Sequence, residues 1–95
     1  MSVNGITLDT DSMRVFTDDK EIALSNKDFK ILKYLMENKN IVISRELIIT
    51  HIWGYDFDGD DRVVDTHIKR IRQALGEKSV CIKTIINTGY SFGEV

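Results

Sequence analysis

The residues best suited to chemistry in this sequence are basic and polar, and they sit together. Arg62, Thr66, Lys69 and Gln73 share one face at helical spacing, with Arg70 and Arg72 at its two shoulders. Ammonium and guanidinium groups so placed can pair with phosphate oxygens, and a guanidinium can also grip the O6 and N7 acceptors of guanine. From Arg62 to Leu75, four Lys or Arg stand against one Asp, a local charge of +3 in a chain of net charge −2. Charged helix faces are commonly just solvated, so this reversal of sign takes its meaning from its surroundings.

The element that must carry these groups is a helix over about 62–75. Val64, Ile68, Ile71 and Leu75 fall at i, i+4, i+7 and i+11, one narrow stripe opposite the basic face. Asp60 or Asp61 is expected to cap its start, and Gly76 to end it in a left-handed conformation. His67 lies at the edge of the buried stripe, which favours packing or a phosphate hydrogen bond.

Ninety-five residues make one domain, 1–95, with a single core. No apolar run is long enough to cross a bilayer, and the first residues lack the basic and apolar regions of a signal peptide, so a cytoplasmic location is expected. The single cysteine, Cys81, excludes an internal disulfide and reads as a small apolar filler in a strand. A pI of about 5.6 argues against indiscriminate coating of nucleic acid, but not against one focused basic face.

Along the chain, residues 5–24 read as short antiparallel strands. Ile6 and Leu8, Met13 and Val15, and Ile22 and Leu24 alternate with polar residues, and turns fall at Thr10-Asp11-Ser12 and Thr17-Asp18-Asp19-Lys20. Ser25-Asn26-Lys27-Asp28 resembles a capping box, with Asp28 shorter than the usual Glu. The helix that follows carries Phe29, Leu32, Leu35 and Met36, widened by Ile31 and Tyr34, and so is expected at the centre of the fold. Ile41-Val42-Ile43 suggests a short strand. Ser44 caps a second helix to about Trp53, buried through Leu47, Ile48, Ile52 and Trp53, with His51 half-buried between them. Val80–Ile86 is rich in strand formers, Asn87-Thr88-Gly89 turns, and Tyr90-Ser91-Phe92 returns.

Other chemistries fail on spacing. With Asp56, Asp58 and Asp60 as the first calcium ligands, a glycine belongs at 61 and a glutamate at 67, where the chain has Asp61 and His67. No zinc spacing, phosphate loop or nucleophile–base motif is present, so no enzyme activity, metal or cofactor is expected. The acidic loop with Tyr55 and Phe57 reads as a protein-contact surface or a plain solvated loop.

Two short helices, the second basic and followed by a β-hairpin, predict an α+β winged helix-turn-helix, with an N-terminal antiparallel sheet, three helices and a C-terminal β-hairpin wing. Leu24-Ser25-x-x-x-Phe29-x-x-Leu32, Ile43-Ser44-Arg45-Glu46, Ile52-Trp53-Gly54-Tyr55, Arg62–Arg72 and Thr84-x-x-x-x-Gly89-Tyr90-x-Phe92 together resemble the C-terminal DNA-binding domain of OmpR/PhoB-type response regulators. The resemblance implies transcription control by binding double-stranded DNA at direct-repeat promoter sites as a head-to-tail dimer, downstream of a receiver domain. This chain has no room for a receiver, so an excised effector domain is expected over a naturally short protein. The loop Gly54–Asp61, with Tyr55, Asp56, Phe57 and Asp58, corresponds in position to the family's RNA-polymerase contact. The chain departs at the wing tip, where Ile86-Asn87 replaces the usual Arg-Gly, and at Val63, where threonine is common. The alternative reading is a winged helix that binds an acidic protein partner.

The expected DNA contacts are Arg62, Thr66, His67, Lys69, Arg70, Arg72 and Gln73 from the helix, and Thr84, Asn87, Thr88 and Tyr90 from the wing. Arg70 is assigned to base reading, and Lys69 and Arg72 to phosphates. Arg62 is expected to reach a phosphate or pair with Asp58. Asp65 is left between Arg62, Lys69 and a cytosine amino group. Trp53 is expected in the core with one polar edge.

Overall fold

A computed structural model describes residues 1–93. Its first layer is an antiparallel sheet in the order β1 (Ser2–Val3), β2 (Ile6–Asp9), β3 (Arg14–Thr17) and β4 (Lys20–Ile22). The register sets Leu8 beside Val15 and Thr7 beside Phe16, so alternation sends Ile6, Leu8 and Val15 into the core. Met13 was expected inside. It stands in the β2–β3 turn at φ +56° and is exposed, because the turn runs one residue longer than its sequence suggests.

Helix α1 (Asn26–Glu37) is the centre, packed on α2 (Arg45–Ile52), α3 (Val63–Leu75) and β6 (Gly89–Phe92). Phe29, Ile31, Leu32, Leu35 and Met36 are all buried, as an apolar arc wider than one stripe requires. Each contributes about 1.5–3 kcal/mol by leaving water. Ser25 caps α1 by accepting from the Asp28 N–H at 3.1 Å. The reciprocal half of the capping box is missing, because the Asp28 carboxylate turns towards α3 instead.

Several local expectations yield to tertiary packing. Residues 41–43 form no strand; only Ile43 pairs, in an isolated bridge to Tyr90, while Ile41 and Val42 are exposed. In α2 the buried residues are Ile48 and Ile49, not Leu47, which faces water. His51 is also exposed and stacks on Tyr34 with ring centroids 3.9 Å apart. An eight-residue helix with a run of three apolar residues, Leu47-Ile48-Ile49, gives too little periodicity from which to choose its inner face.

Gly76 does end α3 at positive φ, but the chain continues as a 3₁₀ segment, Gly76–Cys81, so the hairpin starts later than expected. Cys81 is accordingly buried in that segment and not in a strand. The hairpin pairs β5 (Ile82–Ile85) with β6, and Asn87 takes φ +61° in the turn, as its type allows. Gly89 is required for a different reason than its turn: a Cβ there would lie 2.1 Å from the Ile43 carbonyl oxygen.

Candidate nucleic-acid interface

The stripe Val64, Ile68, Ile71 and Leu75 is buried, which turns Arg62, Thr66, Lys69, Arg70 and Gln73 outward as expected. The helix lacks a side-chain cap at its first residue, because Arg62 is already helical. Asp60 acts one turn earlier: it accepts from the Arg62 N–H at 2.8 Å and from its guanidinium at 2.8 and 2.6 Å. These hydrogen bonds, the side-chain ones first, hold the Asp60 carboxyl down to about 2. Arg62 thus pairs with Asp60 and not with Asp58.

Asp65 points away from the outer face, and neither Arg62 nor Lys69 is its partner. Its carboxylate takes both Nε and Nη2 of Arg45 in α2, at 3.0 and 2.7 Å, and accepts the Tyr90 hydroxyl from the wing. One side chain of α3 therefore ties the second helix to the hairpin. Burial, then the hydrogen bond and charge of Asp65, push the Tyr90 phenol up to about 12.

Arg72 performs a similar service from the other side. Its Nη2 donates to the Ile82 carbonyl and to the Thr84 hydroxyl, both at 2.8 Å, and its guanidinium lies 5.8 Å from the Tyr90 ring. The hairpin is further joined to the chain before α2 through Ile43 N–H to Tyr90 O at 2.7 Å and Tyr90 N–H to Ile43 O at 2.9 Å. The wing is therefore fixed relative to α3 by side chains and relative to α2 by backbone. Its tip carries Ile86, 81% exposed, so this residue does not pack inward. Asn87 and Thr88 are exposed beside it.

His67 turns inward. Its Nδ1 is 2.5 Å from Asp28 Oδ1, and its ring meets the edge of Trp53 at 5.2 Å. Trp53 also holds Phe57 at 5.6 Å and the Lys27 ammonium over its ring at 4.9 Å; it is half-buried against the margin of the core and not inside it, because its ring is covered by these loop and helix side chains. In the loop before α3, Tyr55 is 93% exposed, and Asp56 and Asp58 are exposed too. Phe57 does not share that surface; it folds back over Trp53.

The sequence-predicted residues thus divide. Arg62, Thr66, Lys69, Arg70 and Gln73 of α3 and Thr84, Asn87 and Thr88 of the wing lie at the surface, whereas His67, Arg72 and Tyr90 brace the framework. Arg45 and Asp28 were missed as part of this arrangement, and residue type gave no hint of their distant partners.

A family model described as "Transcriptional regulatory protein, C terminal" matches residues 19–92. The chain belongs to that family. It is 45% identical over 92 residues to the regulatory protein VanRB of Enterococcus faecalis, a match covering 97% of this chain and 41% of that protein. The chain therefore spans about two fifths of that relative's length. Among solved structures, the RstA DNA-binding domain of Klebsiella pneumoniae, determined in complex with the RstA box, aligns at a TM-score of 0.86 with 31% identity, over 98% of this chain and 95% of that one. The response regulator DrrB of Thermotoga maritima, an OmpR/PhoB homologue, aligns at 0.89 with 36% identity, over 99% of this chain and 44% of that one. The resemblance to OmpR/PhoB-type effector domains and the winged-helix fold expected from the motifs are both borne out.

Proposed function

We propose that this domain binds duplex DNA sequence-specifically and controls transcription, with α3 in the major groove and the wing on the flank. The observation that carries the reading is the outward basic and polar face of α3, with the hairpin fixed beside it by Asp65, Arg72 and Tyr90. A groove-binding helix needs such a fixed second support to set its register on the duplex. Similarity to a domain solved on its DNA box favours DNA over an acidic protein partner.

The finer assignments follow from the same reading. Arg70 reads a base edge; Lys69 and Arg62 contact phosphates; Thr66 and Gln73 face the groove; Thr84, Asn87 and Thr88 position the wing. The surface loop with Tyr55, Asp56 and Asp58 meets RNA polymerase. In the full-length protein a receiver domain precedes this one, and two copies sit head to tail on a direct repeat. No helix among the described residues is long and apolar enough to cross a membrane, and the domain acts on DNA in the cytoplasm. The family is one of transcription regulators, and no reaction or cofactor is assigned.

A salt titration on a duplex selected from genomic fragments tests this. With about four to six phosphate contacts, log affinity should fall with log salt at a slope of about −4 to −5. Arg70→Ala should cost roughly 1–3 kcal/mol and relax preference at one or two base pairs, whereas Lys69→Ala should weaken all duplexes alike. A flat salt dependence with no preferred site would overturn the proposal.

A further inference from the structure

Among the described residues, Asp28 is the only charged side chain that is fully buried, at 3% exposure. A buried carboxylate is tolerated only when partners replace its lost water. Its neighbours are both on α3: His67 Nδ1 lies 2.5 Å from Oδ1, and Arg70 Nε lies 3.4 Å from Oδ2. The start of α1 does not need this side chain, since Ser25 already caps it. The carboxylate is thus committed to the outward helix.

Arg70 meets this pair twice: its Nη2 lies 2.7 Å from His67 Nδ1, and its Nε faces Asp28 Oδ2 as an ion pair at 3.4 Å. A ring nitrogen serves one in-plane partner, as donor or acceptor according to its tautomer. The ion pair with Oδ2 is the Arg70 contact that does not depend on that tautomer. The Arg70 side chain nevertheless remains 52% exposed, with its Nη1 end unengaged among the described residues.

We propose that Asp28, although it lies off the outer face, is a positioning residue for base recognition by Arg70. Its charge holds the Nε side of the guanidinium and leaves the Nη1 end directed at a guanine edge, while His67 fixes the carboxylate. An arginine restrained in one orientation surrenders less rotamer freedom on binding and accepts fewer wrong acceptors than a free one. The inference rests on the DNA-binding reading above.

Asp28→Asn is the discriminating change. Its amide oxygen can still accept from His67, but its amide nitrogen then faces Arg70 donor to donor. The readout is the ratio of affinities for a selected duplex and for one altered at the base pair where Arg70→Ala relaxes preference. Asp28→Asn should lower that ratio about 5- to 10-fold, part of what a full bidentate contact gives. Affinity for unrelated duplex should not fall. Asp28→Glu should recover most of the ratio, and Asp28→Asn should have no further effect in an Arg70→Ala background. Equal weakening on both duplexes, or an undiminished effect without Arg70, would reduce Asp28 to a clamp between α1 and α3 and overturn the proposal. Side-chain N–H NMR of the unaltered chain gives a reading independent of how Asp28→Asn folds. The Arg70 guanidinium should show restricted rotation about its Nε–Cζ bond before DNA is added; free rotation overturns the proposal as well. Absence of any base preference in the unaltered chain would instead defeat the DNA-binding reading, and this inference with it.

Discussion

Tyr90→Phe removes a single oxygen from the junction of α2, α3 and the wing, and its consequences can be worked out before measurement. The phenol is buried at 6% exposure, and its hydroxyl donates to Asp65 Oδ1. A hydrogen bond to a charged acceptor contributes about 1.5–3 kcal/mol. Asp65 keeps both hydrogen bonds from Arg45, and its side chain is 36% exposed, so water replaces part of what is lost. The net cost should be about 1–1.5 kcal/mol. For a domain of 95 residues that lowers Tm by roughly 5–10 °C.

The pH dependence supplies an independent check. The phenol's pKa is raised from 10.0 to about 12, chiefly by burial and then by the Asp65 hydrogen bond and charge. A shift of two units corresponds to about 2.7 kcal/mol, and screening by water at Asp65 reduces it to roughly 1–1.5. The folded chain holds this proton more tightly than the unfolded one. The stabilisation is therefore whole below about pH 10 and is lost as pH rises through about 12. Groups common to both proteins cancel in the difference. Thermal melts followed by circular dichroism should show a constant gap between the parent and Tyr90→Phe from about pH 7 to 9.5, narrowing above about pH 10. A gap that persists unchanged to about pH 11.5, or no gap at neutral pH, would refute the assignment of Tyr90 as the proton donor to Asp65.

Other perturbations probe the wing and the loop. Ile86→Arg should leave Tm unchanged, because the side chain is 81% exposed, while raising affinity most on sites flanked by A-tracts and steepening the salt slope by about one unit. An unchanged titration on such sites would remove the wing tip from the minor groove. Gly89→Ala should destabilise by about 1–3 kcal/mol or more, since its Cβ would press on the Ile43 carbonyl and break the bridge to Tyr90; an unaltered denaturation midpoint would contradict this. Tyr55→Ala should preserve folding and DNA affinity but reduce transcription from a bound promoter in a purified polymerase assay, and full transcription would remove the loop from the polymerase contact.

How far the sequence could be read depended mainly on the distance over which each feature is decided. The stripe Val64–Ile68–Ile71–Leu75 was legible because neighbouring turns of one helix define it. The Ser25 and Ser44 caps were legible for the same reason. Ile41-Val42-Ile43 misled, because β-branched residues make a strand only where a partner edge exists, and only Ile43 finds one. The roles of Asp65 and Asp28 were hidden because their partners lie 20, 25 and 39 residues away. This distance also changes the electrostatic argument. Counting charges along 62–75 gives +3, yet three of the four cations are already engaged: Arg62 with Asp60, Arg70 with Asp28, and Arg72 with the hairpin. Among the described residues, only Lys69 of the four has no partner. The Arg62 pair stands in water, so a phosphate can replace Asp60 at little cost. Arg72 cannot be recruited in the same way without loosening the wing that its hydrogen bonds secure. On the DNA-binding reading proposed above, the electrostatic grip of α3 rests on Lys69 and Arg62, and its selectivity on the arginine paired with Asp28.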